Sequence, residues 1–367
     1  MTEVCFPFFG NSIGGSQRSA VEIYKNLSKY KKISFIIHSK GIFYDYLKKN
    51  NIKFYYLPII NVNIKYEKIQ YLLLIIFNFL RILNFLKKNK IKNIHGNTLL
   101  INLLWSFPSI FYDTKFIWHQ RQYLSGSPIW KLINLLADKI VANSPGVLRT
   151  IPKNVDKKKK IFIENFIEPV LKYNKNLCRI RLKNKINLRK PYFLAGYVGR
   201  VIKQKKVVDI IEAINILPKQ YKKKIFLIIC GNFKIDYKQE LFKKIDLYKL
   251  KNIFFLNHSN QVYKIYSALN LAIMPSPNES YGRTPIEAMT QGTLVLASDC
   301  FGHRQSVINN INGYLYKKNN IKDLKNKIIF IMNSKNNKKI IKNANNYLKK
   351  KLIQKPLIIK KLLDIYK

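Results

Sequence analysis

Two glutamates separated by seven residues, Glu279 and Glu287, are the strongest chemical signal in the sequence. The apolar run Leu271–Met274 before them predicts a buried strand, and a short helix ending near Gly292 leads to a second strand at Leu294–Ala297. The loop between strand and helix therefore lies at a strand's carboxyl end, where free backbone N–H groups and the helix dipole attract anions. One carboxylate in this loop and another a turn into the helix suit a ligand with phosphates in the middle and hydroxyls at both ends, which is the layout of a nucleotide-sugar.

A structural interpretation of the same residues is equally compatible with their spacing. The run from Thr284 to Glu287 fits a capping box, with Thr284 at the N-cap, Pro285 at N1 and Glu287 at N3. In that case Glu287 would satisfy a backbone donor, and Glu279 would be a solvated loop residue. The spacing alone does not distinguish the two interpretations.

The wider segment Pro275–Asp299 resembles the E-x7-E region of GT-B glycosyltransferases, specifically the large retaining family 4-like group. The similarity extends through Gly302 and the run Asn312–Leu315. It implies an α/β fold with two Rossmann-like parallel-sheet domains that face each other across a cleft and hold a nucleotide-sugar. It also implies that Glu287 binds the ribose hydroxyls and that Glu279 lies against the sugar as a catalytic residue. The donor would be surrounded by the backbone of Ser280, Tyr281, Gly282 and Arg283.

A second loop offers cations for a diphosphate. A strand-like run ends at Gly199-Arg200, and Lys205 precedes an amphipathic helix that starts near Val207. Arg200 presents a planar fork and Lys205 a point charge, which are two ways to bind phosphate. Lysines crowd this chain, so a solvated loop is the alternative, but Gly-Arg followed by Lys at this interval resembles the family's phosphate-binding loop. The family often has Gly directly after the Lys, whereas this chain has Lys206, which leaves the start of the helix open.

The N-terminus contributes a turn with paired glycines. The apolar strand Val4–Phe9 is followed by a loop that contains Gly14 and Gly15, and then by a helix through Leu27. The loop does not have the G-x-G-x-x-G pattern of dinucleotide-binding proteins. Paired glycines permit close approach of the backbone to a ligand, and a tight turn without a ligand is the alternative. The resemblance implies that Gly14 and Gly15 face the sugar and phosphates of the donor.

His119 is the histidine for which the resemblance implies a catalytic role. It ends the strand-like run Lys115–Trp118, where family members often carry a histidine that faces the cleft. A hydrogen-bonded structural histidine is the alternative. His95 lies at another expected strand end and is assigned a structural or acceptor-side role. His258 lies where relatives contact the base through backbone atoms.

The length and pattern of the chain indicate two domains. Its 367 residues can bury two cores, and apolar runs alternate with helical patterns throughout. Residues 169–190 are polar and rich in lysine, so they are the best candidate for a linker. We therefore expect an N-terminal acceptor-side domain at 1–172 and a C-terminal nucleotide-sugar-binding domain at 173–351. Residues 352–367 should form a helix, and the resemblance implies that this helix packs back on the first domain.

The formal net charge of +48 predicts attraction to polyanions. Lys, Asn and Ile are abundant together, as in proteins of AT-rich genomes, so codon bias is one source of the charge. An anionic membrane surface is favoured over nucleic acid, because no nucleic-acid-binding motif is recognisable. Polar residues interrupt Tyr71–Leu86, the most apolar stretch, so we expect a packed or interfacial helix. Four dispersed cysteines and an N-terminus without a signal pattern favour a cytoplasmic protein, peripheral on the inner face of the membrane.

These residues and the resemblance together predict a glycosyltransferase of hexosyl or N-acetylhexosaminyl type that needs neither metal nor cofactor, and the resemblance implies retention of anomeric configuration. Its substrates would be a nucleotide diphosphate-sugar, UDP- or GDP-linked, and a saccharide or lipid-linked acceptor of bacterial surface polysaccharide synthesis. The chain has no D-x-D triplet of the kind that holds a divalent ion in GT-A enzymes. No second carboxylate is placed as a nucleophile, which favours a same-face mechanism. A catalytically silent GT-B scaffold and a basic nucleic-acid-binding protein are the alternatives, although no specific nucleic acid is expected as a partner.

Overall fold

The computed structural model describes residues 3–60, 67–123, 130, 134–188, 192–257 and 261–367. The chain divides into two compact units. We call Met1–Glu168 together with Gln354–Lys367 the N-terminal unit, and Pro169–Ile353 the C-terminal unit. The boundaries therefore lie four residues before the expected position 172 and two residues after the expected position 351.

The described part of the N-terminal unit contains a seven-stranded sheet. Its strands are β1 Val4–Phe8, β2 Ile33–Ile37, β3 Phe54–Tyr56, β4 Asn93–Gly96, β5 Lys115–Gln120, β6 Lys139–Ala142 and β7 Lys160–Phe162. They lie in the order β3-β2-β1-β4-β5-β6-β7, and each neighbouring pair is parallel. Both faces of this sheet are covered, which explains why β1 and β2 are buried along their whole length.

The described part of the C-terminal unit contains a six-stranded sheet. Its strands are β8 Phe193–Val198, β9 Ile225–Gly231, β10 Ile253–Asn257, β11 Leu271–Met274, β12 Leu294–Ser298 and β13 Tyr314–Tyr316. They lie in the order β10-β9-β8-β11-β12-β13 and are again parallel throughout. The predicted class, an α/β protein with two Rossmann-like parallel sheets, is confirmed.

The described helices cover the faces of the two sheets. Those of the N-terminal unit before the boundary are α1 Gly15–Leu27, α2 Ile42–Lys49, α3 Glu67–Asn89, α4 Leu99–Phe111 and α5 Pro145–Leu148. Those of the C-terminal unit are α6 Lys175–Lys185, α7 Val207–Asn215, α8 Lys219–Lys222, α9 Ile235–Leu247, α10 Val262–Ala268, α11 Arg283–Thr290, α12 Ile321–Asn333 and α13 Asn337–Ile353. The last helix, α14 Lys355–Ile365, belongs to the N-terminal unit.

The expected linker and the expected helix at the end of the chain have different outcomes. Half of the expected linker 169–190 instead forms α6, because Cys178 and Leu182 are buried and the Asn174 side chain accepts from the first-turn N–H of Leu177. The expected helix at the end of the chain is present as α14. Its residues Leu362 and Ile365 are buried in the same apolar cluster as α1.

In each sheet the strand order reverses beside the first strand of the unit. β1 has β2 on one side and β4 on the other, and β8 has β9 on one side and β11 on the other. Open α/β sheets bind ligands at the carboxyl ends of their strands, at such a switch point. The loops after β1 and β4, and those after β8 and β11, are therefore the places at which a ligand site is expected in each unit.

Helix α3 packs on the N-terminal unit through one face. Leu74, Ile82 and Leu86 are buried in its core, whereas Ile69, Leu72, Ile76 and Leu80 are exposed. We call these four exposed residues the α3 stripe, since their spacing places them on one side of the helix. Among the described residues there is one helix, Ile69–Asn89, whose length and apolar composition would allow it to cross a membrane.

Candidate active site

The loop after β8 is shaped by a close approach of two backbones. Gly199 has φ +156°, a value that side chains rarely allow, and a Cβ added to Gly231 would lie 1.7 Å from the Gly199 carbonyl oxygen. The Tyr197 hydroxyl then donates to the Arg200 carbonyl oxygen at 2.7 Å. These contacts fix the backbone while the Arg200 side chain remains exposed at the carboxyl end of β8.

Lys206 explains the departure from the family pattern at the next turn. Residues Lys203–Lys205 form a single 3-10 turn, and Lys206 has φ 52° and ψ 37°, in the left-handed region. Glycine adopts that conformation without strain, and lysine does so at a cost of roughly 1–2 kcal/mol. The helix nevertheless starts at Val207, as predicted, because the bend at Lys206 turns the chain directly into α7.

The loop after β11 overturns the capping-box interpretation. Helix α11 begins at Arg283, its N-cap is Gly282 with φ 70°, and no side chain caps it. Because Gly282 takes the left-handed conformation, the helix starts two residues before the position that Thr284 as N-cap would give. Pro285 therefore lies at the third helical position, where the missing N–H is not needed. Glu287 lies at the fifth, more than a turn from the N-cap, so it is not the partner of a capping box.

The structure brings residues of these two loops into direct contact. The Lys205 ammonium donates to Glu279 Oε1 in an ion pair. Both side chains remain partly accessible, 22% and 21% exposed. A cation and a carboxylate predicted from separate motifs thus lie together at the switch point between β8 and β11, beside the N-terminus of α11.

A turn after β12 holds the Glu279 loop in place. A Cβ added to Gly302 would lie 2.1 Å from the Glu279 carbonyl oxygen, and one added to Gly282 would lie 3.0 Å from His303 Cδ2. His303 is fully buried, with Nδ1 2.9 Å from the Ser298 carbonyl oxygen. Gly302 was part of the sequence resemblance, but His303 gave no signal, because its role depends on packing. Between these contacts Tyr281 is buried and Ser280 is partly exposed.

The glycines of the N-terminal unit have different structural roles. A Cβ at Gly10 would lie 1.8 Å from the Ser39 carbonyl oxygen, so the fold itself requires glycine there. Gly14 is the N-cap of α1 with φ −110°, and a Cβ there would approach only Gln17 Oε1, at 3.3 Å. The fold alone therefore does not require glycine at position 14, and Gly15 is the first residue of α1.

His119 lies in a buried polar cluster at the carboxyl end of β5. Its Nδ1 is 3.0 Å from Arg121 Nη2 and 3.0 Å from His95 Nε2. His95 Nδ1 lies 2.7 Å from the hydroxyl of Tyr366. His119 Nε2 is buried and has no hydrogen-bond partner among the residues the structure describes. Burial first, and the charge of Arg121 second, hold the pKa of His119 and of His95 well below the usual range, so both rings are neutral at pH 7.

His38 is a structural histidine of the same unit, and both of its ring nitrogens make hydrogen bonds within the protein. Its Nδ1 donates to the Leu57 carbonyl oxygen at 2.7 Å, and its Nε2 accepts from Trp105 Nε1 at 3.0 Å. Burial lowers its pKa to about 4. Both nitrogens of His38 are used, whereas His119 keeps one nitrogen without a partner. His258, the remaining histidine to which the sequence gave a place, lies outside the described residues.

Arg121 is the residue that sequence reasoning missed. It donates from Nε to Asn97 Oδ1 at 2.9 Å and from Nη1 to Asn165 Oδ1 at 2.7 Å. Asn165 also accepts from the Ser19 hydroxyl of α1 at 2.9 Å. The guanidinium therefore joins the ends of β4 and β5 to the first turns of α1. The sequence did offer one signal for Arg121, since it directly follows β5, the strand that contains the suspected site residue His119.

The structure thus forms two clusters of site residues, one in each unit. Glu279, Lys205 and the start of α11 lie together in the C-terminal unit, and His119 lies with Arg121 in the N-terminal unit. In the described ranges no group of three or more His, Cys, Asp or Glu side chains could hold a metal ion.

Residues 179–347, within the C-terminal unit, match the family model described as glycosyl transferases group 1. The capsular polysaccharide biosynthesis glycosyltransferase CapM of Staphylococcus aureus is 25% identical over 55% of this chain and 54% of its own length, so the chain spans only about half of that relative. An uncharacterized glycosyltransferase of Methanocaldococcus jannaschii is 28% identical over 94% of this chain and 93% of its own.

Among solved structures, Anabaena HepE in complex with UDP-glucose superposes with a TM-score of 0.82, at 18% identity, over 99% of this chain and 100% of its own. This likeness and the two Rossmann-like parallel sheets show the GT-B fold, as the sequence predicted. The family match is confined to residues 179–347, slightly less than half of the chain, so it shows a similarity of the C-terminal unit to group 1 glycosyltransferases.

Proposed function

We propose that this protein transfers a hexosyl or N-acetylhexosaminyl group from a nucleotide diphosphate-sugar to a saccharide or lipid-linked acceptor, with retention of anomeric configuration. The observation that carries the proposal is the Lys205–Glu279 pair beside the N-terminus of α11, at the switch point of the C-terminal unit. A diphosphate needs cations and helix-terminal N–H groups, and a sugar needs a carboxylate for its hydroxyls. That loop pair offers all three at one switch point.

The donor's leaving group is stabilised by fixed positive charge. Glycosyl transfer passes through an oxocarbenium-like state while negative charge grows on the departing phosphate. Arg200, Lys205 and the positive end of α11 meet that charge, and preorganised groups of this kind are worth about 3 kcal/mol of barrier each. These cations do the work that a divalent ion does in GT-A enzymes, so the reaction needs no metal and no cofactor.

The two glutamates have separate tasks in this mechanism. Glu287, on the first turns of α11, accepts hydrogen bonds from the ribose hydroxyls. Glu279 orients the sugar, and binding of the diphosphate draws Lys205 toward the phosphate oxygens. The acceptor hydroxyl attacks from the face that the phosphate leaves, and the departing phosphate oxygen takes its proton. Ser280, Tyr281, Gly282 and Arg283 line the donor with backbone atoms, and Gly14, Gly15 and His119 contact the substrates from the N-terminal unit.

The donor is a UDP- or GDP-linked sugar. The likeness to HepE, whose structure was solved with UDP-glucose, supports a UDP-linked donor. The similarity to a capsular polysaccharide biosynthesis glycosyltransferase of Staphylococcus aureus supports a role in bacterial surface polysaccharide synthesis. A charge of +48 and the exposed α3 stripe, followed by Arg81, Lys87 and Lys88 on the same helix, suit an anionic membrane surface. We therefore place the protein on the inner face of the cell membrane, as a peripheral protein.

A panel of donors tests the proposal directly. Thermal unfolding of the full chain is measured with UDP-glucose, UDP-N-acetylglucosamine, GDP-mannose and ADP-glucose in the presence of EDTA. The expected result is stabilisation by one nucleotide class, and a smaller stabilisation in Lys205→Gln but not in Lys244→Gln. Lys244 is a matched control, because it also pairs with a half-buried glutamate, Glu212, in the same unit. No stabilisation by any donor would support the silent scaffold, and stabilisation by duplex DNA alone would support the nucleic-acid-binding protein.

A further inference from the structure

A chain of buried side chains links the end of the polypeptide to His119. Tyr366, directly after α14, lies 2.7 Å from His95 Nδ1, and His95 Nε2 lies 3.0 Å from His119 Nδ1. Tyr366, His95 and His119 are 1%, 0% and 3% exposed, so water does not compete for these contacts. The group 1 match ends at residue 347, so Tyr366 lies beyond the family's matched region.

The Arg121 guanidinium determines where the protons lie in this series of buried side chains. An arginine guanidinium only donates hydrogen bonds, and Arg121 Nη2 lies 3.0 Å from His119 Nδ1. His119 Nδ1 must therefore accept, and a neutral ring then carries its proton on Nε2. The same Nδ1 can be approached by His95 Nε2 only if that nitrogen donates. His95 Nδ1 is consequently an acceptor, and it takes the hydroxyl proton of Tyr366 in a hydrogen bond.

The chain leaves a single donor without a partner. His119 Nε2–H is buried and makes no hydrogen bond to any residue that the structure describes. Buried polar groups are almost always satisfied in folded proteins, and a bound ligand is a partner that would satisfy this N–H. The ligand atom must accept a hydrogen bond, as the oxygens of a sugar do. A group that needs His119 to remove a proton does not fit, because the free nitrogen already carries one.

We propose that Arg121, His95 and Tyr366 are positioning residues that hold His119 as an Nε2–H donor to an accepting oxygen of the bound sugar substrate. His119 then binds and orients this oxygen and does not act as a general base. The proposal deepens the proposed function and depends on it for the identity of the substrate. The tautomer itself is a property of the free protein, and it can be measured without any substrate.

Nitrogen-15 NMR of the imidazole rings gives that measurement. The full chain is labelled at its five histidines, and His119→Gln identifies the His119 signals. We expect His119 to show the Nε2–H tautomer with no titration between pH 8 and 5.5. A proton on Nδ1, or titration near pH 6.5, would overturn the proposal. Tyr366→Phe should make the His95 signals a mixture of tautomers, whereas Tyr55→Phe, which removes a hydroxyl bonded to Glu3 in the same unit, should leave them unchanged. If the His95 signals are unchanged in Tyr366→Phe, the Tyr366 hydroxyl does not fix the His95 tautomer and is not a positioning residue.

Two substitutions of His119 test the substrate contact. The glutamine amide nitrogen can replace Nε2, whereas the asparagine amide nitrogen can replace only Nδ1. His119→Gln should therefore keep kcat/KM about tenfold above that of His119→Asn, the effect of one hydrogen bond. Equal losses, with the acid limb of the pH–rate profile removed in both, would identify a general base and overturn the proposal. If the tautomer is as expected but no nucleotide-sugar binds to the native protein, the proposed function fails while the assignment of the protons stands.

Discussion

Removing the Glu287 carboxylate should weaken donor binding strongly and leave the fold almost intact. Helix α11 starts at Arg283 with Gly282 as its N-cap, so the Glu287 carboxylate is not part of a capping box. The Thr290 hydroxyl bonds to the Glu287 carbonyl, which any substitution retains. Alanine is also the better helix former. We expect Glu287→Ala to change the stability of the C-terminal unit by no more than about 0.5 kcal/mol, or roughly 1–2 °C in Tm.

The expected loss of donor affinity is far larger. A ribose offers two hydroxyls to the carboxylate, and a hydrogen bond to a charged group is worth about 1.5–3 kcal/mol. Loss of both corresponds to about 10²- to 10⁴-fold in Kd. The affinity of the corresponding nucleoside diphosphate should fall by a similar factor, because the ribose is common to both.

The assay is isothermal titration of the nucleoside diphosphate that the donor panel selects, beside thermal unfolding of the same samples. Glu212→Ala is the matched control, since Glu212 is another half-buried helical glutamate of this unit and pairs with Lys244. The control should lose up to about 1 kcal/mol of stability and no affinity. If Glu287→Ala keeps its affinity while its Tm falls by several degrees, the side chain is structural and the ribose assignment is wrong.

Three further outcomes follow from the same structure. Lys205→Gln should lower kcat more than donor affinity, because the phosphate is most negative in the transition state, whereas Lys244→Gln should change neither. The activity of the native protein should be equal with and without EDTA, and a strict magnesium requirement would contradict the mechanism. Vesicles with anionic lipid should bind the protein, and less so as salt rises through the range where the Debye length is about 8 Å. The pair Leu72→Glu with Leu80→Glu should reduce vesicle binding, and Leu247→Glu, an exposed leucine of the C-terminal unit, should not; equal binding by all would exclude the α3 stripe. The buried histidines of the N-terminal unit, whose pKa values burial lowers, should destabilise it in acid. Their contribution to stability is complete above the unfolded-state pKa of about 6.5 and is lost as pH falls toward the lower folded-state pKa values, by up to about 1.4 kcal/mol per pH unit each. Urea unfolding followed by tryptophan fluorescence reports this, since all three tryptophans lie in this unit, and equal midpoints at pH 7.5 and 5.5 would refute it.

The parts of the site that depend on local pattern could be predicted from the sequence. Apolar runs marked the strands before Gly199 and before Glu279, and the loops that follow them lie at strand ends, as expected. The start of α11 could not be read in the same way. Thr284-Pro285 is a stronger local start signal than Gly282-Arg283. The observed start depends on the left-handed conformation of Gly282, which the turn at Gly302 and His303 supports through packing.

Contacts between distant parts of the chain could not be predicted. Tyr366 and His95 are 271 residues apart, and no periodic pattern relates them. The sequence indicated that the last helix returns to the N-terminal unit, which places Tyr366 in the correct neighbourhood but does not give its partner. Likewise Arg121 gained its role from three asparagine and histidine side chains on different elements, so only the assembled sheet reveals it.

The composition of the chain makes the pairing of Lys205 informative. With 67 lysines and arginines against 19 aspartates and glutamates, most cations have no carboxylate to contact. Lys205 nevertheless contacts one, and that carboxylate, Glu279, lies on the loop that carries the helix N-terminus. A partly exposed ion pair is worth only about 0–1 kcal/mol, so a diphosphate can take over the lysine at little cost. In the proposed mechanism the pair holds Lys205 extended at the switch point before the donor arrives. The energy that would otherwise order a flexible lysine then remains available to stabilise the leaving phosphate.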